Sequence, residues 1–322
     1  MPTIQIVVGT YEKVLHGLTA TLLDEDDYLN ERSDHVYFED TFLFQAHGSA
    51  IRSLAISPIS LSDSASKQRK IILASGGSDE RINLYHLSAL SPKAQGVSVA
   101  PTPSFGGKSI RENPSNRELG SLLHHSSSVN ALCFPSRSKL LSAADDNTIA
   151  VTRTRDWTVL SSIKAPIPKA HGRPCGDTAP LGGTPAGVND FAVHPSMKLM
   201  VTVGKGEKCM RLWNLVTGRK AGVLNFEKDM LQGVGEGRWG SGEGRRVEWN
   251  RLGEQFVVAF ERGAVLFGLV RTFSYGIRSD SEADLCTRTR NHKPEYCRIL
   301  QLKYTRSVMQ EQRVNSKKGP NS

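Results

Sequence analysis

At 322 residues the chain is long enough to bury a sizeable core, and its 29 glycines, 15 prolines and short apolar bursts favour many short strands over long helices. The net charge of +9 suits polyanions but is spread diffusely along the sequence, so by itself it assigns no partner. Five cysteines without a C-x-x-C pair argue against a disulfide framework and against a cysteine metal site, and fit a reducing compartment.

In chain order, the N-terminus MPTIQIVVGTYEK has no basic region leading into a long apolar stretch, so no signal peptide is expected. No run reaches the roughly 18 apolar residues that a membrane span needs, so no membrane partner is expected. VVGTYEKVLHGL (7–18) echoes VVAFERGAVLFGL (257–269). Both read as a strand, a tight turn and a second strand, which places the chain start inside a repeat, at its second strand. The acidic run Asp24-Glu25-Asp26-Asp27 reads as a solvated turn.

Four units then follow, each opening on an alternating strand: IRSLAISP (51–58), VNALCFP (129–135), VNDFAVHP (188–195) and RRVEWN (245–250). A second apolar run comes next in each: KIILASGGSDE (70–80), KLLSAADDN (139–147), KLMVTVGKGE (198–207) and EQFVVAFE (254–261). A third strand closes each unit: RINLYHL (81–87), TIAVTRT (148–154), MRLWNL (210–215) and AVLFGL (264–269). The anchors Leu54, Leu132, Phe191 and Val247 lie 78, 59 and 56 residues apart. A plain WD repeat runs about 40–45 residues, so each unit carries an insertion. Two of these, 90–117 and 166–187, are rich in Pro, Gly and Ser and are expected to be disordered surface loops. The glycine-rich stretch 233–246 has neither the strand–helix frame nor the Lys-Ser/Thr of a phosphate loop, and GKGEK at Gly204 fails the same test.

The repeats resemble WD repeats, which implies an all-β fold, a WD-repeat β-propeller with about five recognisable blades. In that family a hydrogen-bond chain runs from Trp through Ser/Thr and His to Asp. The matching positions are His47, Ser75, Asp79 and Tyr85 in one unit, His125, Ser142 and Asp146 in the next, and Glu207 with Trp213 in the third. Thr152 stands where Trp belongs, and Val203 where Ser or Thr is expected. The role implied is structural. His124-His125 reads as the source of one such structural histidine rather than as a metal ligand or base. No H-E-x-x-H, Walker A or G-x-S-x-G motif is present. No enzyme activity, cofactor, metal or small-molecule substrate is expected.

The expected organisation is a propeller over residues 1–270 followed by a polar, basic and mostly irregular segment, 271–322, with one last alternating strand, CRILQLKY (297–304). That gives about 18 or 19 strands, against roughly 28 for a seven-bladed ring of four-stranded blades. GTYEKVLHGL, ASGGSDERINLY, TRTRDW, VGKGEKCMRLWNLVTGRKAGVL (203–224) and FERGAVLFGL together resemble one WD-repeat nucleolar group. It includes the fungal maintenance-of-killer protein and the animal p21-activated-kinase-interacting protein, and the resemblance has a fungal look. The resemblance covers roughly residues 4–270 and stops near Leu269, so an incomplete seven-bladed ring, truncated or divergent at its C-terminus, is the expectation. Open edges lower stability unless a partner or a second copy completes the ring.

The resemblance implies a protein-interaction scaffold that assembles the large (60S) ribosomal subunit in the nucleus and nucleolus. Its partners would be pre-60S particle proteins and pre-rRNA. The alternative it implies is a negative regulator of p21-activated protein kinase.

Overall fold

The computed structural model describes residues 3–22, 36–58, 70–88, 102–103, 109–110, 116–167, 187–236, 240–271 and 300–304. They form a nearly all-β WD-repeat propeller of antiparallel blades. The first sheet has three strands, β1 (Thr3–Gly9), β2 (Val14–Leu22) and β3 (Val36–Gln45). The second blade holds β4 (Ile51–Ile56), β5 (Lys70–Gly77) and β6 (Ile82–Ser88). A two-residue pair, β7 (Thr102–Pro103) with β8 (Ser109–Ile110), precedes its fourth strand, β9 (Arg117–Leu122). The third blade is β10 (Val129–Ser136), β11 (Lys139–Ala144), β12 (Thr148–Arg153) and β13 (Val159–Lys164). The fourth is β14 (Val188–Val193), β15 (Leu199–Gly204), β16 (Cys209–Asn214) and β17 (Arg219–Asn225). A short helix, α1 (Lys228–Gly233), leads to β18 (Arg246–Trp249), β19 (Gln255–Ala259), β20 (Ala264–Arg271) and β21 (Leu300–Tyr304).

The internal blades are apolar on both faces, so the core lies between blades. Leu15 and Phe42 of the first sheet meet Ile51, Leu73 and Tyr85 of the second. Ile82 and Leu84 meet Val129 and Leu140, and Leu141 and Ile149 meet Phe191 and Trp213. Val201 and Val203 meet Phe256 and Phe267, with Met230 and Leu231 of α1 closing that layer. Burial is thus a chain of nearest-neighbour contacts, as in solenoids. The inner strands β4, β10, β14 and β18 lie side by side in that order, with β1 against β4. Among the described residues these blades do not close into a ring.

The strand register repeats along with the blades. It slips after the first residue of β4, β10 and β14, between Ile51 and Ser53, Val129 and Ala131, and Val188 and Asp190. It slips again between the third and fourth strands of the second, third and fourth blades, opposite Leu84 and Tyr85, Val151 and Thr152, and Leu212 and Trp213, where Leu119, Leu160 and Ala221 of the fourth strands are the extra residues. A bulge turns the extra side chain out of the ladder and bends the strand.

Most of the two expected insertions lies outside the described residues, as do the acidic run at Asp24 and most of 271–322. The described parts of 90–117 differ from a plain loop, since they hold the β7–β8 pair and the start of a blade strand. Arg117 opens β9, so the fourth strand of that blade begins inside the expected 90–117 insertion. The alternating run near the C-terminus supplies β21, which pairs Leu302 with Leu269 and completes the last sheet.

Candidate functional site

The polar chains sit inside the blades, between the second and third strands and the connection that enters the blade. In the second blade His47 Nε2 lies 2.7 Å from Ser75 Oγ and Nδ1 lies 3.0 Å from Asp79 Oδ1. The Gly48 amide donates to the same carboxylate at 2.8 Å. A proton order satisfies every atom: His47 Nδ1–H donates to Asp79, and the Ser75 hydroxyl donates to Nε2. Burial acts to raise the Asp79 carboxyl, but the Gly48 amide and His47 outweigh it and hold it below the ordinary value. Tyr85, at the Trp position, is pushed up to about 12 by burial and by the Glu118 charge, against opposing hydrogen bonds with Asn83 and Ser75.

The third blade has the same arrangement with one change. His125 Nε2 lies 2.7 Å from Ser142 Oγ and its Nδ1 3.1 Å from Asp146 Oδ2. Thr152 at the Trp position is too short to reach them, and its buried hydroxyl has no partner among the described residues. His124 takes over that contact, with Nε2 3.0 Å from Ser142 Oγ and its ring 4.4 Å from that of His125. Both histidines therefore engage one serine. Burial pushes His124 down to about 4, with the neighbouring His125 adding to the effect.

In the fourth blade Trp213 Nε1–H donates to Thr202 Oγ1 at 2.9 Å. The hydroxyl position expected at Val203 is therefore one residue earlier, and Val203 instead faces the apolar core between blades. The ladder explains the offset: Ser75, Ser142 and Thr202 stand opposite Leu54, Leu132 and Phe191. Glu207 meets no histidine among the described residues. Its carboxylate grips the Arg211 guanidinium with both oxygens.

Ser–His–Asp in hydrogen-bond order is also the constellation of a serine hydrolase. Here it occurs in two blades, and in both the serine is completely enclosed. A nucleophile must touch a substrate carbonyl, and neither hydroxyl reaches solvent. The arrangement satisfies buried polar atoms and ties loop to strand.

A second set of contacts, absent from the sequence reading, ties blade to blade. Asn130, the extra residue in the β10 bulge, donates through Nδ2 to Val188 O at 2.9 Å. Asn189, at the same place in β14, donates to Gly244 O at 2.8 Å. Asp190 accepts from the Val247 amide at 2.9 Å, and Lys205 pairs with Asp145 at 2.5 Å. The signal was an Asn directly after the first apolar residue of two repeats, which periodicity alone does not flag.

Comparison with known proteins agrees with this architecture. A family described as "WD domain, G-beta repeat" matches residues 116–151, from just before β9 to within β12. A p21-activated protein kinase-interacting protein 1-like protein of Danio rerio is 27% identical over 226 residues, covering 70% of this chain and 44% of that protein. Protein MAK11 of Saccharomyces cerevisiae is 28% identical over 246 residues, 71% of this chain and 45% of that one. Shk1 kinase-binding protein 15 of Schizosaccharomyces pombe is 26% identical over 221 residues, 69% and 46%. The chain thus spans a little under half the length of these relatives. Among solved structures, the WD40 β-propeller domain of Doa1 aligns with a TM-score of 0.47 at 12% identity, over 81% of this chain and 59% of that one.

Proposed function

We propose that this chain, which belongs to the WD-repeat family of Protein MAK11 and the p21-activated protein kinase-interacting proteins, acts as a non-enzymatic scaffold in assembly of the large ribosomal subunit. WD-repeat blades are interaction modules, and the coarse role rests on that fold. The enclosure of Ser75 and Ser142 carries the non-enzymatic part, because the only hydrolase-like constellations among the described residues have no access to substrate. The ribosomal part rests on the resemblance, whose most specific stretch is 203–224. In this reading the protein works in the nucleus and nucleolus on pre-60S particles, contacting their proteins and pre-rRNA.

Affinity purification of the tagged chain with mass spectrometry, paired with gradient sedimentation, tests it. Large-subunit assembly intermediates should co-purify, and depletion should lower free large subunits. Recovery of a kinase without ribosomal particles would instead favour a kinase adaptor. That second reading is supported by the names of two relatives, one kinase-interacting and the other kinase-binding.

A further inference from the structure

Antiparallel blades sort their connections to two ends. The turns from first to second strand and from third to fourth strand share one end, and the remaining turns and α1 share the other. The two ends differ in charge. The second end mixes signs, with Asp79, Glu80, Asp145, Asp146, Glu227 and Asp229 among Arg81, Lys205, Lys208, Lys228 and Arg262. The first end carries Lys198, Arg219 and Lys220 on the fourth blade and Arg251 on the fifth, all exposed, with none in an ion pair among the described residues. Lys139 and Arg155 extend the same end onto the third blade, where Asp156 neutralises Arg153. At the first end of blades three to five these cations outnumber the carboxylates there, Asp156 and Glu254, whereas the opposite end mixes both signs.

Three aliphatic side chains project among these cations. Met197 is 53% exposed, Val216 74% and Leu252 75%. A single exposed aliphatic residue needs no explanation, but three at one end, each within three residues of a cation, form a pattern. The turns that present them are fixed. Asn214 Oδ1 accepts from the Val216 amide at 2.9 Å, and the Leu215 amide donates to Lys198 O at 2.8 Å. His194 Nε2–H donates to Gly253 O at 2.9 Å, locking the fourth blade's turn to the fifth's. Gly253 has φ +72°, and a Cβ there would sit 2.3 Å from His194.

We infer that this end of blades four and five is a docking surface for an acidic protein segment that carries apolar side chains, with carboxylates meeting Lys198, Arg219 and Arg251 and apolar groups meeting Met197, Val216 and Leu252. Fixed turns lower the ordering cost of such an encounter, and the charge steers it. Nucleic acid fits less well. Phosphates gain nothing from aliphatic tips, and the indole beside these turns, Trp249, packs between His194 and Phe256 with its Nε1–H on Ala192 O, while Trp157 on the third blade is half-buried against the Phe134 cluster; neither is offered to a base. The inference rests on the chain being an interaction module and is independent of the ribosomal reading.

Fluorescence anisotropy of the full chain tests it with three labelled probes: a short peptide of Leu spaced among Glu, poly-glutamate and single-stranded oligouridine. The Leu/Glu peptide should bind tightest. Lys198→Glu with Arg219→Glu and Arg251→Glu should weaken it at least about tenfold, and Val216→Ser with Leu252→Ser about fivefold. Arg81→Glu, at the opposite end, should leave binding unchanged, and unaltered melting of each variant confirms folding. Tighter binding of oligouridine would assign the surface to nucleic acid and overturn the inference. Absence of peptide binding, or indifference to the three charge reversals, would overturn it too. Either failure leaves co-purification with ribosomal particles to be judged on its own result.

Discussion

Ser142 and Thr152 are both fully buried hydroxyl residues of the third blade, with opposite energetics. Ser142 bonds His124 and His125, whereas the Thr152 hydroxyl has no partner among the described residues. Ser142→Ala should cost about 2 kcal/mol, since it strands two ring nitrogens, while Thr152→Val, which keeps the shape, should gain about 1 kcal/mol. Urea titration of both variants checks this, and a destabilised Thr152→Val would refute it. The same cluster sets a pH dependence. His124 is pushed down to about 4 by burial, whereas an unfolded histidine titrates near 6.5. Between those values the unfolded chain takes up a proton that the folded chain refuses, so stability falls as pH drops from about 6.5 to about 4. Asp79 and Asp146 are lowered against the pull of burial by hydrogen bonds with Gly48 and His47, and with Thr148 and His125. Their contribution is full above the ordinary carboxylate value and is lost as pH falls through their lowered values, beneath the His124 window. Melting curves across the acid range should show both limbs, and His124→Gln should flatten the upper limb alone.

At the scale of elements, the blades hold together through bulges as much as through apolar faces. Asn130 leaves the ladder of β10 only because the register slips there, and it bonds the next blade. Asn130→Ala should cost about 1–3 kcal/mol by leaving a buried carbonyl unmet. Because contacts are nearest-neighbour, amide exchange should accelerate in β10 and in the β4 and β14 strands that flank it, and stay unchanged in β2 and β20. Uniform acceleration would argue against nearest-neighbour coupling. The anchors Leu54, Leu132 and Phe191 were legible because alternation is a local signal, and the ladder sets each opposite a Ser or Thr. Thr202 was missed for Val203 because the acidic marker, Glu207, sits one place further from the strand than Asp79 or Asp146. The fourth strands were harder to read. In β13 only Ile163 is buried, so VLSSIK offers no alternation, and β17 starts on exposed Arg219 and Lys220. Helix α1 has six residues, too few for a helical period to register. The contact of His124 with Ser142 depends on what Thr152 fails to fill, which no one-dimensional pattern carries.

For the molecule as a whole, the two terminal sheets present unlike outer faces. On the first sheet Ile4, Ile6 and Val8 share a face with Leu18, Phe38 and Leu43, opposite the face that buries Leu15 and Phe42. The five of these other than Leu18 are between 37% and 59% exposed. The polar side chains on that face, His16 and Asp40, answer each other at 2.8 Å. The outer face of the last sheet carries Arg246, Glu248 and Gln255 instead, with Val257 among them. In every internal interface of the stack, apolar side chains meet apolar side chains, so a first sheet docked on this last one would bury charge against Ile4 and Ile6. Among the described residues this face is therefore left for an apolar surface. It should bind a hydrophobic dye and drive concentration-dependent association in sedimentation, because contiguous exposed apolar patches of this kind are adhesive. Ile4→Lys with Phe38→Lys should abolish both effects without lowering the melting temperature, since each side chain is more than half exposed. Arg246→Ala with Glu248→Ala should leave both effects in place. Dye binding and association that persist in the lysine variant would locate the adhesive surface elsewhere.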